Sequence, residues 1–114
     1  MTTTNKEKSK ASIGALLRGR KVRAKYLESL IGELDGNGEF DVLDACRAWG
    51  IMYNKSASRR IISLLQRGLL AVASNEKRLY TEPGGSSIHW QPRRYRISAS
   101  GFSEIEHAIK EGWL

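Results

Sequence analysis

Apolar residues recur at helical spacing in four places along this 114-residue chain. Tyr26, Leu27, Leu30, Ile31 and Leu34 follow one another at three- and four-residue intervals and predict a helix from about Val22 to Leu34 with one buried stripe. Asp35-Gly36-Asn37-Gly38 stops it, with glycines available for a left-handed cap. After a short extended piece around Phe40, Asp41 reads as an N-cap: its carboxylate can accept from the backbone N–H of Leu43 or Asp44. A short helix, Val42 to Trp49, follows with Val42, Ala45, Cys46 and Trp49 on one face, and Gly50 ends it. The turn Ile51 to Asn54 leads to a third helix from Lys55 or Ser56 to Arg67, with Ala57, Ile61, Leu64 and Leu65 as its core stripe. In the last helix, capped by Ser100, Phe102, Ile105, Ala108 and Ile109 share a face.

Between the last two helices the pattern turns extended. Residues 69–73 (LLAVA) read as a strand, 78–81 (RLYT) as another, and 95–98 (YRIS) alternates like a strand with one buried face. Residues 74–77 are turn-rich, and Pro83-Gly84-Gly85-Ser86-Ser87 is a loop by composition. Residues 1–11 have no apolar periodicity and read as a disordered basic arm, leaving 12–114 as the folded domain. A weak apolar pattern at Ile13, Leu16 and Leu17 is interrupted by Gly19. No internal repeat is evident.

Composition excludes several classes. The single cysteine, Cys46, cannot form an intramolecular disulfide and reads as a small hydrophobe on the apolar face of its helix. His89 and His107 lie far apart, so no metal-ligand spacing and no catalytic triad is present, and no cofactor is implied. Asp41 and Asp44 lie three apart, but the first is explained as a cap; catalysis finds no support. No apolar run approaches the ~18 residues of a membrane span, and the polar stretch Met1 to Lys10 offers no signal-peptide core. The expectation is a cytoplasmic protein, nucleoid-associated if prokaryotic.

Charge changes the picture more. The formal net charge is +7. Residues 1–25 hold eight cations and one anion, residues 26–46 hold six acids and no Lys or Arg, and residues 47–96 hold ten cations and two acids. Two basic segments flank an acidic one, which suits a polyanion-facing surface backed by an acidic face.

The order helix, short strand, helix, helix, strand, loop, strand, helix resembles a winged helix-turn-helix domain of the kind found in small bacterial and archaeal transcriptional regulators. Two stretches carry the resemblance: EFDVLDACRAWGI followed by SASRRIISLLQRGLL, and Tyr95-Arg96-Ile97-Ser98-Ala99-Ser100-Gly101-Phe102. The second is similar to the Tyr-Arg-Leu-Thr-x-x-Gly segment that closes the wing and opens the final helix in many such proteins. The fold class implied is α+β, mainly α, with a three-helix core, a two- or three-stranded wing and a C-terminal helix. Gly50 to Ala57 is longer than the tight turn of the simplest helix-turn-helix proteins, so position-by-position contacts do not carry over.

The implied function is double-stranded DNA binding by a small sequence-specific regulator. Off its core stripe the third helix offers Lys55, Ser56, Ser58, Arg59, Arg60 and Ser63. Arg59 suits a bidentate contact to guanine; Ser56 and Lys55, at the helix start, suit phosphate. The wing, residues 74–94, offers Lys77, Arg78, Trp90, Arg93 and Arg94 for phosphates or a narrow minor groove. Trp90 either packs under the wing or lies against a sugar or base. The arm offers Arg18, Arg20, Lys21 and Arg23, or it serves as a solubilising tail. A homodimer would use the terminal helix 102–114 and segment 12–18. The alternatives are an architectural chromatin-type or ribosomal nucleic-acid binder, and a winged-helix protein–protein adaptor.

Overall fold

The computed structural model describes the backbone of residues 2–74, 79–81, 88–90 and 93–114, and the side chains of residues 13–74 and 93–114. The elements run α1 (Thr2–Ile31), β1 (Glu39–Phe40), α2 (Val42–Trp49), α3 (Asn54–Gln66), β2 (Leu70–Ser74), β3 (Leu79–Thr81), β4 (Ile88–Trp90), β5 (Arg94–Ile97) and α4 (Ala99–Lys110). Strands β1, β5 and β2 form an antiparallel sheet in that order, and β3 pairs with β4 as a separate antiparallel ribbon. This is the winged helix-turn-helix architecture.

Helix α1 differs most from the sequence expectation. It continues without a break through residues 2–21, including the stretch expected as an arm. No proline falls in it, and Gly14 and Gly19 each weaken a helix by only about 1 kcal/mol relative to alanine, less than is needed to interrupt it. At its other end the helix stops at Ile31, short of Leu34, and the N–H groups of Glu33 and Leu34 bond back to Leu30 and Ile31. Apolar spacing therefore continued one turn beyond the helix itself.

The short helix α2 has the expected bounds because its caps are local. Asp41 accepts from the N–H of Asp44 at 3.0 Å, and the Asp44 carboxylate accepts from the N–H of Asp41 at 2.9 Å, a reciprocal capping box. Gly50 ends the helix in the left-handed conformation, φ 64°, where a side chain would be strained. The Cys46 thiol is half-buried and lies 3.5 Å from the Asn54 side-chain oxygen.

The core gathers Leu27 and Leu30 of α1, Phe40 of β1, Ala45 of α2, Ile61 and Leu64 of α3, Leu70 of β2, Ile97 of β5 and Ile105 of α4. Phe40 sits opposite Tyr95 in the sheet, their ring centroids 5.7 Å apart, and Leu70 sits opposite Ile97. Between Val72 and Ser74 the register slips, so the strand bends as it leaves the core.

Helix α4 is capped by Ser98, which corrects the expectation of Ser100. The Ser98 hydroxyl accepts from the N–H of Gly101 at 3.0 Å and donates to the carbonyl of Gly68 at 2.5 Å, while the Ser98 N–H donates to Leu69 O at 3.1 Å. Both serines are cap types; the glycine decides between them. A Cβ on Gly101 would stand 2.2 Å from Leu69 O and 2.7 Å from an Ile97 methyl, so Gly101 must face the sheet from inside the first turn. We expect Gly101→Ala to destabilise the fold by about 3 kcal/mol, the upper range for overpacking against rigid backbone. Ser98→Ala should cost about 1 kcal/mol, the usual value of a lost cap. Urea denaturation of the two variants checks the order.

Candidate nucleic-acid interface

Helix α3 has four sides with different tasks. Ala57, Ile61 and Leu64 are buried. Diametrically opposite, one hundred degrees per residue places Lys55, Arg59, Ile62 and Gln66 in a single ridge, with Ser56 and Ser63 beside it. All six are exposed, and Lys55 and Arg59 make no ion pair among the described residues. Ser58 is half-buried on one flank.

Arg60, on the other flank, has a different environment. Its guanidinium lies over the Tyr26 ring of α1, 3.7 Å from the centroid, and 4.9 Å from the Trp49 ring of α2. These two rings are tilted against each other with centroids 5.9 Å apart, and the Trp49 indole N–H donates to Tyr26 O at 2.9 Å. Arg60 thus clamps α3 to α1 and α2, whereas its neighbour Arg59, a hundred degrees around the helix, points outward. The sequence placed both arginines among the groove-facing residues because the aromatic partners of Arg60 lie on other helices.

At the base of the wing, Arg94 is engaged within the protein. Its Nε donates to Glu39 at 3.0 Å and its terminal nitrogen pairs with Asp35. The Asp35 carboxyl is held below the usual carboxylate range by the backbone N–H groups of Glu39 and Asn37, and then by Arg94. Arg93 is exposed and makes no ion pair among the described residues. Lys77 and Arg78, and the side chain of Trp90, lie outside the described residues, as does the loop at Pro83.

The basic residues of α1 also separate. Arg18 is exposed. Arg20 pairs with Glu104 of α4, Nε to Oε1 at 2.5 Å, and its pKa is raised chiefly by that hydrogen bond. Both Arg20 and Lys21 lie within cation–π distance of the Trp113 ring, at 5.5 and 5.9 Å. Trp113 meets His107 edge-on at 5.2 Å and packs on the protein's own α1.

Two ridge residues escaped the sequence reading, Ile62 and Gln66. Ile62 is 52% exposed although apolar. Counting i, i+4, i+7 and i+11 from Lys55 finds both; following the polar residues alone does not. Exposed Met52 and Tyr53, immediately before α3, were read only as a turn.

Comparison with solved structures bears on the fold. The chain is similar to a MarR family transcriptional regulator from Silicibacter pomeroyi DSS, with a TM-score of 0.55 and 17% identity, over 96% of this chain and 64% of that one. It also overlaps Bordetella bronchiseptica BpsR, whose DNA binding is regulated by 6-hydroxynicotinic acid, at a TM-score of 0.47 and 16% identity, over 89% and 78% of the two chains. No family model and no curated protein sequence matches the chain. The first likeness establishes the winged helix-turn-helix fold, and this chain spans less than two thirds of that protein's length.

The clamp can be tested apart from any ligand. Arg60→Ala should lower stability by about 1–2 kcal/mol, the value of a partly desolvated cation–π contact plus lost packing of the stem. Arg59→Ala should leave stability within about 0.5 kcal/mol. Paired urea melts compare them.

Proposed function

We propose that this protein binds double-stranded DNA as a small sequence-specific transcriptional regulator, with α3 in the major groove. The observation that carries this reading is the Lys55–Arg59–Ile62–Gln66 ridge. It is an outward row of donors with one apolar residue, on a helix whose other sides are committed to the core and the clamp. Arg59 suits guanine O6 and N7, Gln66 suits adenine, and the Ile62 side chain suits the methyl group of thymine. Lys55 and Ser56, in the first turn, suit a phosphate.

Arg93, at the wing base, and the wing residues Lys77, Arg78 and Trp90 are assigned to backbone or minor-groove contact in this reading. Arg60 and Arg94 are assigned to holding the structure. Arg18 is retained as an arm contact; Arg20, Lys21 and Arg23 face Glu104, Trp113 or Arg67 and are not.

The test is selection of bound sequences from a random duplex pool, followed by a salt titration on the preferred site. We expect a preference of about 10³ or more over bulk DNA, and log K falling against log salt with a slope of roughly −5 for six phosphates. Arg59→Ala should weaken the preferred site by 1–3 kcal/mol, roughly 5- to 150-fold, and relax choice at one base position. Equal binding to all sequences overturns the regulator reading in favour of an architectural binder. A slope near zero overturns nucleic-acid binding altogether.

The protein acts as a homodimer in this proposal. Followed back along α1, the buried Ala24/Leu27 stripe passes Arg20 and reaches Leu17, Leu16 and Ile13, which are 42%, 65% and 64% exposed. On α4, Phe102 and Ile109, seven residues apart, are a second pair of exposed apolar side chains on one face. A second copy would cover both and set two α3 helices on half-sites about 34 Å apart. Light scattering should give a dimer for the wild type and a monomer for Leu16→Glu combined with Ile109→Glu. A wild-type monomer at high micromolar concentration would rule the dimer out.

A further inference from the structure

A cavity of about 240 Å³ opens where α1, the end of α3 and α4 meet, lined by Arg20, Arg23, Arg67, Leu69 and Glu104. Three guanidinium groups and one carboxylate face it. Glu104 is already taken by two of the three guanidinium nitrogens of Arg20, at 2.5 and 3.2 Å. Arg23 and Arg67 make no ion pair among the described residues. Two positive charges therefore share one opening without a counter-charge of their own.

Arg23 lies back along its own helix. Its guanidinium lies back over Gly19, and a Cβ at Gly19 would stand 2.9 Å from the nearest nitrogen. A side chain at Gly19 would push the mobile end of Arg23 aside. The Arg23 guanidinium is also held below its ordinary pKa, first by burial and then by the charge of Arg67; Glu104 opposes this and Arg20 adds to it. Arg67 alone could be explained as a cation at the C-terminus of α3. That account does not explain why Arg23 faces the same cavity, since an arginine on α1 could equally extend into water.

An oxyanion between the two forks would balance their like charge. Planar guanidinium groups match the paired oxygens of phosphate and carboxylate. The apolar wall at Leu69 and the half-enclosed setting of the cavity strengthen such a contact relative to bulk water. The site stands twelve residues, about 18 Å, from Lys55 along α3, at the end opposite to the groove-facing first turn. We propose that Arg23 and Arg67 form a binding site for the phosphate or carboxylate group of a small anion. This is independent of the DNA reading.

The test follows the arginine side-chain N–H resonances of the full chain by NMR during titration with inorganic phosphate, and separately with acetate, at ionic strength held constant with chloride. Saturable shifts of Arg23 and Arg67 are expected with at least one of the two anions. Arg23→Gln and Arg67→Gln should each weaken the binding at least tenfold. Gly19→Ala, which displaces Arg23 without removing it, should weaken it as well, while Lys55→Gln leaves it unchanged. Shifts no larger than those produced by chloride overturn the site, as does unchanged binding in both glutamine variants. Added in excess, a duplex should leave the phosphate-induced shifts in place; their loss would assign the arginines to DNA backbone and overturn the small-anion assignment.

Discussion

The fold turns on one close approach, the carbonyl of Leu69 against Gly101. Leu69 O accepts from the Ser98 N–H, and the Ser98 hydroxyl joins Gly68 O to the N–H of Gly101. With no Cβ at Gly101, the exit of α3, the end of β5 and the start of α4 close into one knot. The Leu70–Ile97 register of the sheet follows from it. So does the placement of α4 against α1, which brings Glu104 to Arg20 across the long sequence separation. At its C-terminal end α3 is held by this knot, and along its flank by Arg60 on Tyr26 and Trp49.

The same packing changes what the charge pattern means. Along the sequence an acidic segment separates two basic ones, as if the fold had an acidic face and a basic face. In three dimensions much of the acid is spent against the second basic segment: Arg47 pairs with Glu33 and Asp44, Arg94 with Asp35 and Glu39, and Arg96 approaches Glu39 at 3.8 Å. Exposed pairs of this kind add little stability. Their larger effect is subtractive. They remove three arginines from the basic surface and leave Lys55, Arg59, Arg60, Arg67 and Arg93 as the cations of that segment with no ion pair among the described residues, Arg60 being held over Tyr26 and Trp49.

How far the sequence could be read depended on how local each determinant is. Helix α2 was legible to the residue because the Asp41–Asp44 box and Gly50 lie within its own ends. The cap of α4 was misplaced by two residues because the choice between Ser98 and Ser100 is made by Leu69, thirty residues away in the chain. The Tyr-Arg-x-Ser-x-x-Gly pattern already held the answer, since it sets the hydroxyl three residues before the glycine. The extent of α1 was not legible, because apolar periodicity marks where a helix is buried and not where it runs. On α3, the polar residues were found except Gln66 at its end, and Ile62 was not. An exposed isoleucine looks like core until the helix is wound and the buried stripe is seen to be complete without it.

That winding also explains why recognition and stability can be separated on one helix. The buried stripe and the Arg60 flank account for the contacts by which α3 is held, and the ridge from Lys55 to Gln66 makes none of them. Substitution along the ridge leaves the core, the aromatic clamp and the Leu69 knot intact, so the helix keeps its orientation while its outward chemistry changes. Side chains on a preheld helix lose only their own rotamer freedom on binding, because the cost of ordering the backbone has been met in folding. A 13-residue helix anchored on two sides can therefore present different ridges to different partners without refolding.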